Sequence, residues 1–212
     1  MSFNRVLILS PHTDDGELGA GGFISKLIEE GADVFWIVFS TAEDSLPKGM
    51  DHDTLKNEFI AVCKDLGLNE NKYKIFNYKV RNLDNHRQEV LETLVSIRKD
   101  YNPDLVIGPS LNDYHQDHQV VCLEMIRAFK TSSSILCYEL PWNHIEFNSK
   151  YFVKLEKRHL AKKIKLLNHY KSQQIAQRHY FKEEFIEGLS RVKGSQINSE
   201  FAEAFDVIRM VH

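Results

Sequence analysis

The chain has 212 residues, of which 42% are hydrophobic and 27% are charged, and this composition excludes wholesale disorder. Its 27 basic and 30 acidic residues give a net charge of −3, which excludes a chain-wide cationic surface for nucleic acid. The apolar stretches are too short for a signal sequence or a membrane span, so we expect a cytoplasmic protein without a transmembrane segment. Three scattered cysteines without a CxxC motif predict buried thiols rather than disulfides: Cys63, Cys122 and Cys137.

Short apolar runs alternate with amphipathic segments along most of the chain. The apolar runs predict strands at 5–10, 34–40, 73–76, 104–109 and 134–140. Helical spacing of apolar residues predicts helices at 19–30, 51–66, 84–100 and 119–129. Continuous apolar strands that alternate with helices are typical of an α/β fold with a mostly parallel sheet.

The pattern changes near Lys154 and becomes mainly helical. We expect a single domain over 1–212, with a catalytic α/β core at about 1–150 and a mainly helical extension at about 151–212. The segment 154–171 holds seven basic residues and one acid. We interpret it as a solvated helix face, and the alternative is a patch that attracts a phosphate-bearing substrate.

A histidine and two adjacent carboxylates follow the first predicted strand directly, in Pro11-His12-Thr13-Asp14-Asp15-Gly16-Glu17. A second polar stretch, Asn112-Asp113-Tyr114-His115-Gln116-Asp117-His118, follows the strand at 104–109. Since the carboxyl ends of parallel strands share one edge of a sheet, we expect the two loops to meet there. Zinc binds imidazole nitrogens and carboxylate oxygens, and a catalytic zinc keeps one position open for water. The two stretches therefore predict a metal site.

Two alternatives compete with a metal site. Asp14 or Asp15 is suited to capping the helix that follows, in which case its carboxylate is structural. Four glycines between positions 16 and 22 raise the alternative of a dinucleotide fold, but the GxGxxG turn is missing. The turn itself is His-Thr-Asp-Asp, which repels phosphate, so we interpret the glycines as positions where the helix packs closely on the sheet.

Together the two motifs resemble the LmbE-like, or PIG-L, family of zinc-dependent N-deacetylases over about the first 140 residues. That family carries Pro-His-Pro-Asp-Asp-x-Glu after its first strand and His-Pro-Asp-His after a later one. The resemblance implies a Rossmann-like three-layer α/β fold with a mostly parallel sheet and a helical C-terminal part. It also implies hydrolysis of the acetamide on an N-acetylglucosamine-type sugar or its conjugate.

The resemblance further implies a ligand set and a general base. His12, Asp15 and His118 match the residues that hold one zinc ion per chain. Similar ligands also accept Fe²⁺. Asp14 matches the general base, which takes a proton from the attacking water. On this scheme the metal activates the water and the adjacent carboxylate deprotonates it.

The remaining motif residues match supporting roles in that family. His115 matches the residue that stabilises the tetrahedral intermediate and protonates the amine. Asp117 matches an acid that orients His115 and keeps it charged, and Glu17 matches a structural position. Thr13 and Gln116 replace the two signature prolines, neither of which supplies a ligand.

Candidates for substrate contact lie outside the two motifs. Arg81 and Arg87 are candidates for binding a substrate phosphate, and surface pairing is the alternative for both. Trp142 is a candidate wall for a sugar ring, and burial in the core is its alternative. The expected partner is a small-molecule or carrier-linked amino sugar, and a homo-oligomer is compatible with the sequence. Alternative functions are hydrolysis of another amide on the same scaffold, or sugar or metal binding without turnover.

Overall fold

The computed structural model describes residues 3–211. Its strands are β1 (Arg5–His12), β2 (Asp33–Ser40), β3 (Tyr73–Ile75), β4 (Leu105–Pro109), β5 (Ser134–Tyr138), β6 (Tyr151–Leu155) and β7 (Phe201–Arg209). Its α-helices are α1 (Asp15–Glu29), α2 (Thr54–Asp65), α3 (Arg87–Tyr101), α4 (Gln116–Phe129), α5 (Lys157–Leu167), α6 (Lys171–Ile175) and α7 (Glu183–Ser195).

The strands form one sheet in the order β3-β2-β1-β4-β5-β7-β6. The first five strands in that order run parallel, and β7 pairs antiparallel with both β5 and β6. This confirms the predicted mostly parallel α/β sheet. The chain moves outward from β1 to β3 and then returns to place β4 on the other side of β1. The carboxyl ends of β1 and β4 are therefore the switch point, where folds of this class bind ligands.

Helices cover both faces of the sheet, because successive side chains of a buried strand point to opposite sides. On β1, Val6 and Ile8 pack into a core with α1, α2 and α5. Leu7 and Leu9 pack into a second core with α3 and α4. The result is the expected three-layer arrangement, with the sheet between two helical layers.

Two glycines allow α1 to lie directly against the sheet. A Cβ atom on Gly19 would come within 2.5 Å of the Tyr138 ring, and one on Gly16 within 2.5 Å of the Trp36 ring. Contacts this short require buried aromatic side chains to move, which is destabilising in a packed core. The glycines thus serve helix packing, as predicted, rather than a dinucleotide-binding turn.

The C-terminal part contributes two strands that the sequence analysis did not predict. Lys154 lies in β6, and α5 begins only at Lys157. The last strand, β7, inserts between β5 and β6. The prediction of a mainly helical extension is therefore incomplete, because this part also completes the central sheet.

Four of the seven cations in the segment 154–171 pair with carboxylates: Arg158, Lys162, Lys163 and Lys165. Lys163 is buried and its Nζ atom lies 2.7 Å from Glu203 Oε1. Lys162 and Lys165 both contact Asp65 Oδ1, at 2.7 and 2.9 Å. These four charges already have carboxylate partners, which argues against a phosphate-attracting patch formed by them, whereas Lys154, Lys157 and Lys171 form no ion pair within residues 3–211.

The three cysteines are buried and unpaired within the described residues, as predicted. Burial raises the pKa of the Cys63 thiol far above its ordinary value, so this thiol is neutral. Among residues 3–211, none of the helices is both long enough and apolar enough to cross a bilayer.

Candidate metal centre

The two polar stretches meet at the carboxyl ends of β1 and β4. His12 is the last residue of β1. His115 is the N-cap residue of α4, and His118 lies in the first turn of that helix. The centroids of the three imidazole rings are 4.8, 5.1 and 4.7 Å apart. The fold therefore brings together side chains from two loops that are distant in the sequence.

Three potential ligand atoms form a nearly equilateral triangle. His12 Nδ1 and His118 Nε2 are 3.2 Å apart, and Asp15 Oδ2 lies 3.1 Å from the first atom and 3.2 Å from the second. Ligands at about 2.0–2.2 Å from a tetrahedral zinc ion lie roughly 3.3–3.5 Å from one another. The three side chains thus fit one such ion with shifts of a few tenths of an ångström.

The far nitrogen of each histidine in the triangle is held by a carboxylate. His118 Nδ1 lies 2.7 Å from Asp113 Oδ2, and His12 Nε2 lies 3.0 Å from Asp117 Oδ2. Both carboxylates are fully buried. Such contacts place a proton on the far nitrogen and leave the lone pair of the near nitrogen for a metal, as is usual for histidine ligands. The sequence analysis assigned no role to Asp113.

A set of three histidines is the other candidate ligand group. Ligand atoms of His12, His115 and His118 lie up to 4.8 Å apart. Two ligands at about 2.1 Å from one ion are at most about 4.2 Å apart. The wider set requires movement before all three side chains bind the same ion, whereas Asp15 completes the tighter triangle. The geometry therefore favours His12, Asp15 and His118.

Asp14 lines the cleft that contains the triangle. It is the N-cap residue of α1 by position, but its side chain accepts no hydrogen bond from the first turn, so the capping alternative is not realised. Burial, followed by the charge of neighbouring Asp15, raises the pKa of Asp14 to about 7. A carboxylate with such a pKa is matched to proton transfer near neutral pH.

His115 is a neutral imidazole near neutral pH. Burial lowers its pKa to about 4, and the neighbouring His118 and His12 act in the same direction. The backbone N–H of Asp117 donates to His115 Nδ1 at 3.2 Å, so the neutral ring carries its proton on Nε2. The charge of Asp117 acts to raise this pKa, as expected, but burial outweighs it, so the ring can act as a neutral hydrogen-bond donor.

The carboxylate of Asp117 makes no hydrogen bond to the His115 ring. Its Oδ2 atom lies 3.0 Å from His12 Nε2 and accepts the backbone N–H of Arg81 at 2.6 Å. Its Oδ1 atom accepts the backbone N–H of Leu83 at 3.2 Å. The predicted pairing of Asp117 with His115 is thus replaced by a pairing with His12. The physical reason is that His115 caps α4 and its Nδ1 accepts the backbone N–H of Asp117, while the carboxylate of Asp117 lies against His12.

Protons compete with a metal for the triangle. Burial alone would lower the pKa of His118, but the carboxylates of Asp15 and Asp113 outweigh it and raise this pKa to about 10. Burial alone would raise the pKa of Asp15, but the charges of His118 and His12 hold it well below its ordinary range. Metal binding must displace the protons from the imidazoles, so we expect weaker binding at acid pH.

The cleft has a volume of about 280 Å³, and its lining includes Arg81 and Trp142. Trp142 is not part of the core: it is 38% exposed and stacks on Tyr180, with ring centroids 3.7 Å apart. Arg87 does not line the cleft, because its guanidinium pairs with buried Glu124 at 2.7 Å. Surface pairing therefore describes Arg87, whereas Arg81 and Trp142 lie where a substrate could contact them.

The loop that carries the ligands is anchored by the C-terminal part of the chain. The hydroxyl of Tyr170 lies 2.5 Å from the carbonyl oxygen of Thr13 and 2.6 Å from Glu17 Oε1. Tyr170 and Glu17 are both fully buried, and burial raises the pKa of Glu17 well above its ordinary value. The hydroxyl proton of Tyr170 is shared between these two acceptor oxygens. Sequence reasoning missed Tyr170 because no motif surrounds it.

Comparison with known proteins places the site in a family. The family profile described as PIG-L: GlcNAc-PI de-N-acetylase matches residues 7–129. The uncharacterized deacetylase YaiS of Escherichia coli K12 is 25% identical over 171 residues, which cover 79% of this chain and 90% of that protein. The N,N'-diacetylchitobiose deacetylase of Pyrococcus horikoshii superposes with a TM-score of 0.79 at 21% identity, over 97% of this chain and 84% of that one. GalB, a 4-carboxy-2-hydroxymuconate hydratase of Pseudomonas putida KT2440, has a TM-score of 0.78 at 19% identity, over 99% and 98%.

Proposed function

The chain belongs to the PIG-L family of de-N-acetylases, and on that premise we propose that it is a zinc-dependent hydrolase of N-acetylated amino sugars. The substrate is an N-acetylglucosamine-type sugar or its conjugate, and the products are acetate and the free amine. One observation carries the proposal: the triangle of His12 Nδ1, Asp15 Oδ2 and His118 Nε2, with separations of 3.1–3.2 Å, lies in the same cleft as Asp14.

The residues of the cleft have separate roles in amide hydrolysis. His12, Asp15 and His118 would hold a zinc ion, which would supply the acidity that activates water and the positive charge that polarises the acetamide carbonyl. Asp14 takes the proton of the attacking water, because its carboxylate lies in the cleft and does not cap α1. His115 can donate a hydrogen bond from its Nε2–H to the oxyanion that forms from the acetamide carbonyl. One such donor typically lowers the barrier by about 3–4 kcal/mol.

The last step protonates the departing amine, which is a poor leaving group without a proton. Asp14 holds the proton that it took from water, and His115 holds the proton on Nε2. Asp14 delivers its proton to the amine, because a neutral His115 that lost its Nε2 proton would become an imidazolate; His115 contributes only a hydrogen bond. Water then replaces acetate, and Asp14 regains its starting protonation state.

Substitution of Asp14 tests the base directly. Asp14→Asn should lower kcat by about 10²–10⁴-fold, the usual contribution of a general base, while zinc content stays at the wild-type level. Asp53→Asn is the matched control, because Asp53 is the N-cap residue of α2 and its side chain also makes no capping bond. Acetate release and metal content are measured on the same samples. Wild-type activity in Asp14→Asn would refute the base assignment.

Loss of a ligand tests the metal. His118→Ala should reduce zinc content and abolish acetate release, because it removes one of three protein ligands. Since the substitution also leaves buried Asp113 without its partner, a second measurement avoids any effect on folding. Chelator treatment of the wild-type protein should abolish activity, and one equivalent of zinc should restore it. Full activity after metal removal would contradict the proposal.

A substrate panel separates this function from its alternatives. Acetate release from N-acetylglucosamine conjugates supports de-N-acetylation. Release of a different acid from other amides would indicate another amide hydrolase on the same scaffold. Water addition to an unsaturated carboxylate would indicate a hydratase, the activity of one structural relative. Zinc and sugar binding with no turnover would indicate a binding module.

A further inference from the structure

β4 and β5 end side by side, so the segments that follow them emerge at the same edge of the sheet. The two strands run parallel, and Pro109 at the end of β4 is paired with Tyr138 at the end of β5. The loop after β4 leads into α4 and its candidate ligand His118, and the segment after β5 forms a short helical turn at Pro141–Asn143. The register of the sheet therefore brings this turn towards the loop that precedes α4.

The carboxylate of Asp113 holds the loop after β4 together. Its Oδ2 atom lies 2.7 Å from His118 Nδ1, and its Oδ1 atom accepts the backbone N–H of His115 at 2.8 Å. The backbone carbonyl of Asp113 accepts the side-chain amide of Gln119 at 2.9 Å. Because the carboxylate is fully buried, water does not replace a partner that it loses. The orientation of the His118 imidazole thus depends on the position of Asp113.

Asn143 contacts the same carboxylate from the segment after β5. Its side-chain amide donates to Asp113 Oδ2 at 3.4 Å. Its backbone carbonyl accepts the N–H of Tyr114 at 3.0 Å, and its backbone N–H donates to the carbonyl of Leu140 at 2.8 Å. These two backbone bonds hold the main chain of Asn143 in place independently of its side chain. The amide is therefore held beside Asp113 by the fold itself.

The donors around Asp113 restrict the rotation of its carboxylate. A carboxylate oxygen has two lone pairs, so Oδ2 can accept from Asn143 and from the imidazole of His118 together. The backbone N–H of His115 occupies the other oxygen. Rotation of the carboxylate would break at least one of these bonds, and the amide of Asn143 is the donor that comes from outside the loop.

We propose that Asn143 is a positioning residue of the metal site, which fixes the carboxylate of Asp113 and through it the imidazole of His118. This inference rests on the metal site of the proposed function. Asn143 lies outside the range 7–129 that the family profile matches, so the match assigns it no role. Asn143 also lines the cleft, so direct contact with substrate is the competing role for its amide. Measurements on the protein without substrate separate the two roles.

Zinc affinity in the absence of substrate tests the proposal. Asn143→Ala removes the side-chain amide and keeps both backbone bonds. Competition with a chromogenic chelator should show a zinc Kd about fivefold higher than that of the wild type, as the loss of one hydrogen bond predicts. The visible absorption spectrum of the Co²⁺-loaded protein should also change, because it reports the geometry of the ligands. Asn168→Ala is the matched control: Asn168 accepts a side-chain hydrogen bond from Gln174 at 3.1 Å and does not line the cleft.

A double-mutant cycle identifies the path of the effect. In an Asp113→Ala background the amide of Asn143 has no carboxylate to hold, so Asn143→Ala should change the zinc Kd by less than about twofold. If the amide of Asn143 supported the loop in some other way, the loss of zinc affinity would be the same in both backgrounds. Unfolding in denaturant, measured on the zinc-free proteins, checks that each variant is folded.

The outcomes separate this inference from the proposed function. A wild-type zinc Kd and Co²⁺ spectrum in Asn143→Ala, an equal loss in both backgrounds, or a similar loss in Asn168→Ala would each overturn the positioning role. Reduced acetate release with unchanged zinc affinity would assign the amide of Asn143 to substrate instead. The expected pattern of zinc affinities without acetate release from any substrate would refute deacetylation and leave this inference standing. A wild-type protein that binds no zinc would overturn both.

Discussion

Two clusters of acids and bases in this molecule are arranged in opposite ways. In the cluster at Asp65, three basic side chains converge on one carboxylate at 2.7–2.9 Å: Lys162, Lys165 and His169. At the ends of β1 and β4, carboxylates hold the outer nitrogens of His12 and His118, and the inner nitrogens converge with Asp15. The first cluster neutralises charge, whereas the second leaves ligand atoms facing one point. The direction of pairing, rather than the number of charged residues, distinguishes a structural ion network from a ligand site.

Substitution of Asp113, the carboxylate that contacts the outer nitrogen of His118, is the strongest test of this difference between the two clusters. Asp113→Asn should weaken zinc binding by about 10–100-fold, because it removes the charge that fixes the imidazole and raises its basicity. Asp65→Asn makes the same chemical change in the other cluster and should leave zinc affinity unaltered. Competition with a chromogenic chelator measures both affinities. Equal zinc affinities for wild type and Asp113→Asn would show that the outer carboxylates do not shape the site.

Tyr170, which contacts the carbonyl of Thr13 in the loop after β1, provides a second test of what holds the ligand site in place. Tyr170→Phe leaves the carbonyl of Thr13 and the side chain of Glu17 without a buried partner, so stability should fall by about 1–3 kcal/mol. It should also weaken zinc binding several-fold, because Thr13 lies between the ligand His12 and the base Asp14. Tyr138→Phe is the matched control, since this buried hydroxyl donates to the carbonyl of Leu9 at 3.1 Å.

Unfolding in denaturant and zinc titration together separate the two tyrosines. The control should lose stability without a comparable loss of zinc affinity. A similar loss of zinc affinity in Tyr170→Phe and Tyr138→Phe would mean that the hydroxyl of Tyr170 serves only packing.

The smallest effect is expected at Asp65. Burial alone would raise the pKa of this carboxyl, but hydrogen bonds from Lys162, Lys165 and His169 hold it well below the ordinary value of 3.8. Because the folded pKa is depressed, the cluster stabilises the protein at neutral pH, and this contribution is lost as pH falls below about 4 towards the folded pKa. Asp65→Asn should lower the free energy of unfolding by about 1 kcal/mol at neutral pH.

Denaturant unfolding at several pH values checks this sign. The difference between Asp65→Asn and wild type should shrink as pH falls from about 5 to about 3. A difference that grows on acidification would contradict it, and acetate release at neutral pH should be the same in both proteins.

The strands at the centre of the sheet were predictable, and the contacts around the ligands were not. β1 and β4 are apolar runs buried on both faces, so their polar continuations had to reach the same edge. β7 was not predicted because acids interrupt its apolar residues. Glu203 is buried with partners distant in sequence: Lys163 is 40 residues away, and the backbone N–H groups of Gly22 and Phe23 are about 180 residues away. The contact between His12 and Asp117 spans 105 residues. No local pattern encodes a pair that only the completed sheet brings together.

The place of β7 in the sheet has a consequence for biosynthesis. Within the described chain, β6 finds its strand partner only in β7, and β5 has β7 on its outer side. Chains are made from the amino end, so β6 leaves the ribosome while its future partner has not yet been translated. Until Phe201–Arg209 emerges, the nascent chain carries open strand edges that can template aggregation. Translation that stalls before this segment would therefore release a species dependent on chaperones.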